Sequence, residues 1–86
     1  MLGIGLGIEI SVEQRDAMLI ESLKEIDNTN SFYNTAVGYL QKHDLIDEIP
    51  YDMWMDDFGK RIDEGSLSAV VEAIEYARNK KRMRAC

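Results

Sequence analysis

The chain is short of the residues that build reactive centres. Histidine, cysteine and proline occur once each, as His43, Cys86 and Pro50. A single cysteine allows no intrachain disulfide, so nothing points to a secreted, cross-linked scaffold. One histidine and one cysteine do not supply the four ligands of a structural zinc site, and Cys86 has no assigned base that would make it a nucleophile. One proline in 86 residues argues against a stiff linker or a disordered chain. No segment reaches the roughly 20 consecutive apolar residues of a membrane span. Met1 to Ile8 is apolar, but it has no basic stretch before it and meets Glu9 short of a signal-peptide core. A reducing, cytoplasmic setting without membrane attachment is the expectation.

Acid is absent from the end of the chain. All sixteen carboxylates lie at or before Glu75. Up to Ala77 they face five bases, a net of −11, while residues 78–86 carry +5 from Arg78, Lys80, Lys81, Arg82 and Arg84. Charge separated in this way governs solubility and the rate of association with charged partners more than it governs fold.

What is present is helical periodicity preceded by one alternating run. Leu2, Ile4, Leu6, Ile8 and Ile10 alternate with Gly3, Gly5, Gly7 and Glu9, the period of an extended strand. A lone strand leaves its backbone groups unpaired, so this arm must add to another chain's strand, which implies a homodimer through Leu2 to Ile10, lie extended over the helices, or stay mobile. Ser11 and Gln14 match a capping box opening the first helix, with Val12, Leu19, Leu23 and Ile26 on one stripe and Ile20 beside it. Asn30 or Ser31 is expected to cap a second helix, whose face is Phe32, Tyr33, Ala36, Val37 and Leu40. That helix ends near Lys42 and His43, which suit the negative end of the helix dipole.

Leu45, Ile46 and Ile49 form a connector stopped by Pro50. Tyr51, Trp54, Met55, Phe58 and Ile62 then recur at spacings of three and four, with Gly65 placed as a left-handed C-cap. Ser66 or Ser68 caps a last helix with a stripe of Leu67, Val70, Val71, Ile74 and Ala77. The expected fold is a mainly α, single domain over residues 1–86: an extended arm (1–10), a four-helix body (11–77) and a basic C-terminal tail (78–86).

Motifs for chemistry fail on their own terms. A dinucleotide loop needs a third glycine where Ile8 stands, and no phosphate-loop lysine follows. In Asp27 to Gly38, Phe32 and Gly38 occupy the calcium loop's glycine and glutamate positions. His43 with Asp44, Asp47 and Glu48 offers one imidazole and loop acids, and Asp56 and Asp57 are adjacent rather than facing. No cofactor, metal or catalytic residue is expected, and the chain is read as not an enzyme. Reading bases in DNA needs side-chain donors, which the Gly3, Gly5, Gly7 face lacks. The third helix carries Asp52, Asp56, Asp57 and Asp63 against Lys60 and Arg61.

The reading that remains is a non-enzymatic protein-binding module, an acidic inhibitor or regulator that occupies a basic surface of a nucleic-acid-handling partner. On helical wheels Met18, Met53 and Tyr76 fall off the apolar stripes, and with Asp52, Asp56 and Asp57 they are the expected partner contacts. The alternative is a small dimeric regulator that places Arg78, Lys80, Lys81, Arg82 and Arg84 on nucleic-acid phosphates. Pairing through the arm has a direct check. Deleting Met1 to Ile8 should lower the mass measured by solution scattering, and equal masses for the full and shortened chains would end the strand-pairing idea.

Overall fold

A computed structural model describes residues 11–85, and the expected arm and Cys86 lie outside them. Four helices make up the domain, with no strand among the described residues. They are α1 (Val12–Lys24), α2 (Thr29–Lys42), α3 (51–63) and α4 (Leu67–Ala85), with a short 3-10 turn, Ile46–Glu48, before α3. The mainly α class read from the periodicity is therefore the observed one.

Helix ends follow side-chain chemistry. Ser11 Oγ accepts from the Gln14 amide at 3.1 Å and Gln14 Oε1 accepts from the Ser11 amide at 3.2 Å, so the capping box forms as read. The cap of α2 is corrected. Asn28, not Asn30 or Ser31, is its N-cap, because Asn28 Oδ1 accepts from the amides of both Asn30 and Ser31, at 2.8 and 3.1 Å. Ser66 begins α4, its hydroxyl accepting from the Ala69 amide.

Two helices end in the same motif. After α3, Gly65 sits at φ 87°, its amide donating to the Ile62 carbonyl while Ser66 donates to Arg61. After α2, Asp44 takes the equivalent place at φ 58°, its amide donating to Gln41 while Leu45 donates to Leu40. These six-to-one and five-to-two bonds satisfy carbonyls that the helix leaves open, and Leu40 and Leu45 are both fully buried beside the turn.

The core gathers Leu19 and Leu23 from α1, Phe32, Ala36 and Leu40 from α2, Leu45 and Ile49 from the connector, and Phe58 and Ile62 from α3. Against them α4 presents Ala69, Val70, Ala73, Ile74 and Ala77. The expected α4 stripe is thus rotated: Val71, about 100° round the helix from Val70, is exposed. Alanines let the neighbouring helices approach closely, and their burial replaces that of the larger valine. Val12, expected on the α1 stripe, is also exposed.

One polar cluster ties three helices together. Arg78 on α4 grips Asp16 on α1 with two bonds, Nε to Oδ2 at 3.1 Å and Nη2 to Oδ1 at 2.8 Å. The Tyr39 hydroxyl on α2 donates to the same Asp16 carboxylate. The Arg78 and Asp16 side chains are each only about a fifth exposed, so removing one partner strands a largely desolvated charge and should cost about 2–3 kcal/mol. Burial, and then the bond to Asp16, push the Tyr39 phenol up to about 12, and Arg78 is raised first by its own bonds to Asp16.

Because the folded pKa of Tyr39 lies above its ordinary value near 10, its contribution to stability is fully present below pH 10 and is lost as pH rises through about 12. In a tyrosinate absorbance titration, Tyr39 should ionise late, at about pH 12, and Tyr39→Phe should remove that late step. Absence of the late step from the unaltered chain would contradict the buried cluster.

Candidate functional site

The surface that stands apart is built by an irregularity in α3. Residues Tyr51–Met53 and Gly59–Asp63 are α-helical, but Trp54–Phe58 form a wide π turn closed by the Gly59 amide on the Trp54 carbonyl. In such a turn residue i stands beneath i+5 rather than i+4, equivalent to inserting one residue. Met53 therefore comes under Phe58 and packs against the core, while Tyr51 and Met55 leave the stripe expected for them and are exposed at 74% and 53%. Trp54 comes under Gly59. A Cβ built on Gly59 would lie 2.6 Å from the indole and from the Trp54 carbonyl oxygen, so glycine is what permits the contact.

Trp54 and Tyr33 form a tilted pair, ring centroids 6.3 Å apart, and both rings line two grooves. One, about 370 Å³, is lined by Tyr33, Trp54, Met55, Gly59, Lys60 and Asp63. The other, about 400 Å³, is bounded by Val37, Ile46, Tyr51 and Trp54, with Asp47 at its edge. Asp52 and Asp56, next in sequence to Tyr51 and Met55, are exposed. Large amphipathic rings and a thioether surrounded by carboxylates have the composition of a protein-contact face, with aromatic anchors inside and a charged rim outside.

The residues expected to meet a partner are not gathered in one place. Met53 and Tyr76 were expected on the outside, and both expectations are corrected: each is partly buried against the core, and Tyr76 lies 5.9 Å from the Phe58 ring. Met18 is exposed, as expected, but it lines a different groove between α1 and α2. Asp57 is engaged within the molecule, accepting from Arg61 Nη1 at 3.1 Å. The same guanidinium makes two 3.0 Å bonds to Glu72 and one of 3.4 Å to Ser68. These bonds raise Arg61, first through Glu72, and hold Glu72 below its ordinary value. The spacing of three and four sets Tyr51, Trp54 and Met55 on one stripe with Phe58 and Ile62, but Tyr51 and Met55 are exposed and Trp54 is only partly buried. Gly59 inside an otherwise helical pattern was the one signal that could have found the displaced face.

The basic segment is not set apart from the body, since α4 runs through it to Ala85 without a break. Arg78 holds Asp16, Arg84 Nη2 bonds the buried Glu48 at 2.5 Å, and Lys81 Nζ donates to the Asp44 carbonyl at 3.4 Å. Lys80 lies 5.8 Å over the Tyr76 ring and Arg82 donates to Asn79.

Among the described residues, no group of three or more His, Cys, Asp or Glu side chains is placed to hold a metal, and no helix is long and apolar enough to cross a membrane. No protein-family model, curated protein or solved structure matches the chain.

The wide turn makes two glycines respond in opposite directions. Gly59→Ala should lower unfolding free energy by about 1–3 kcal/mol, because overpacking against Trp54 outweighs the helical gain of alanine. Gly38→Ala, with nothing within 4 Å of its Cβ, should raise it by up to about 1 kcal/mol. Urea unfolding followed by the fluorescence of the single tryptophan measures both, and a stabilised Gly59→Ala variant would refute the contact.

Proposed function

We propose that this domain is a non-enzymatic protein-binding module whose contact face centres on Trp54, and that its partner presents a basic surface. The observation that carries the reading is the exposure of Tyr51 and Met55 beside the Trp54 and Tyr33 pair, produced by a π turn that holds a large ring over glycine. A surface of this kind is expensive to leave facing water, and residues of these types dominate the binding energy of known interfaces.

The rim supplies the partner's chemistry. Asp47, Asp52, Asp56 and Asp63 are all exposed, Lys60 is the one base lining either groove, and the chain as a whole carries −6. Such a rim accelerates encounter with a cationic surface and repels an anionic one. A groove that grips phosphate chains is one such cationic surface, so acting as an inhibitor or regulator of a nucleic-acid-handling protein falls within the proposal. The alternative, phosphate binding by Arg78, Lys80, Lys81, Arg82 and Arg84, has less support because each of these cations already has a contact inside the molecule.

Photo-crosslinkers placed at positions 51 and 55 in the native cell should capture a common basic protein that a probe at Glu21 does not. Against that protein, Tyr51→Ala and Met55→Ala, which remove exposed side chains, should each weaken binding at least about fivefold, and Trp54→Ala roughly thirtyfold. Asp52→Lys with Asp56→Lys should slow association, with the difference fading at high salt. Full affinity after all three apolar truncations would refute the face.

A further inference from the structure

The groove between α1 and α2 reverses the charge of the rest of the body. Arg15, Met18, Leu19, Tyr39, Lys42 and His43 line an open space of about 630 Å³, and no carboxylate is among its lining residues. The Arg15 and Lys42 side chains make no ion pair or hydrogen bond among the described residues, although the body around them is strongly acidic. The nearby acid, Asp16, is occupied by Arg78 and Tyr39. Met18 is 58% exposed on the groove wall, and the His43 ring lies 4.4 Å from the Tyr39 ring.

We infer that this groove is a second docking site, for an acidic peptide segment of another protein that carries an apolar side chain between its carboxylates. Charge decides the sign of the occupant. Two unpaired cations and an imidazole favour carboxylates, and they would repel the cationic surface proposed for the Trp54 face. The apolar wall decides the rest. An inorganic anion would leave Met18 and Leu19 in water, whereas a leucine or phenylalanine side chain would cover them while its neighbours reach Arg15 and Lys42. This site stands independently of the Trp54 face.

His43 gives the site a dependence on pH. It faces Arg15 and Asp16 on α1, Tyr39 and Lys42 on α2, and Arg78 on α4. Burial, then Arg15, Lys42 and Arg78, hold it below its ordinary value, with Asp16 opposing them. A bound carboxylate favours the imidazolium, and by linkage the acidic peptide binds more tightly as the pH falls.

The test uses the isotope-labelled full chain and a pool of short peptides rich in glutamate, each with one leucine or phenylalanine in randomised order. A lysine-rich pool and inorganic phosphate serve as comparisons. The glutamate pool should shift the amide resonances of Arg15, Met18, Lys42 and His43, and binding should tighten between about pH 7.5 and about pH 5.5. Arg15→Glu with Lys42→Glu should weaken it roughly tenfold or more, Met18→Asp should weaken it with all cations present, and His43→Gln should flatten the pH response. These changes sit on exposed or half-exposed side chains, and circular dichroism confirms the fold of each variant. Four results would each overturn the site: no shift at millimolar peptide, shifts only around Trp54, equal binding of the lysine pool, or phosphate alone producing the same shifts as tightly. Concentration-dependent shifts of the same amides without peptide would assign the groove to a second copy, and would overturn the inference as well.

Discussion

The Asp16 carboxylate is the point on which this small domain turns. It accepts two bonds from Arg78, 62 residues away, and one from Tyr39, 23 residues away, so one side chain sets the relation of the first, second and last helices. Burial makes the arrangement demanding, because each charge is tolerable only while the other is present. The cluster also controls electrostatics at a distance. By consuming Asp16, it leaves Arg15, Lys42 and His43 without a carboxylate among the residues lining their groove.

The segregation of charge along the sequence is partly undone by folding. The basic end of α4 lies back on the acidic body, where Arg78 meets Asp16 and Arg84 meets Glu48, so the long-range dipole of the chain becomes a set of short contacts. Carboxylates remain exposed around α3, and unpaired cations remain at the junction of α1 and α2. A linear sum of charges describes neither surface, because it cannot register which residues have neutralised each other across the fold.

Helix identity was legible because it rests on local chemistry: the Ser11 and Gln14 box, the polar break at Asp27 to Asn30, and Gly65 with its positive φ. Other features depend on geometry that a fixed 3.6-residue period cannot express. The π turn moved Tyr51 and Met55 outward and Met53 inward, and a wheel drawn over 51–62 necessarily misplaced all three. Ala69 and Ala73 contribute little to an apolar pattern but are fully buried, so the buried face of α4 is turned away from the exposed Val71. Asp44 in a left-handed conformation ends α2 where glycine would be the sequence signal. Pairings such as Asp16 with Arg78 are invisible in sequence, since nothing local distinguishes that aspartate from the other fifteen acids.

Glu48 has one further implication. Its side chain is 7% exposed, and its ion-pair partner, Arg84, lies in the final turn of α4, where helices fray most readily. Fraying there would leave a desolvated carboxylate behind, so the last turn of α4 and the 3-10 turn at Ile46–Glu48 should open and close as one cooperative unit. The carboxyl end of the helix acts as a clasp on the middle of the chain, and a covalent modification or proteolytic cut near Arg84 would be felt first at the connector that leads into the Trp54 face.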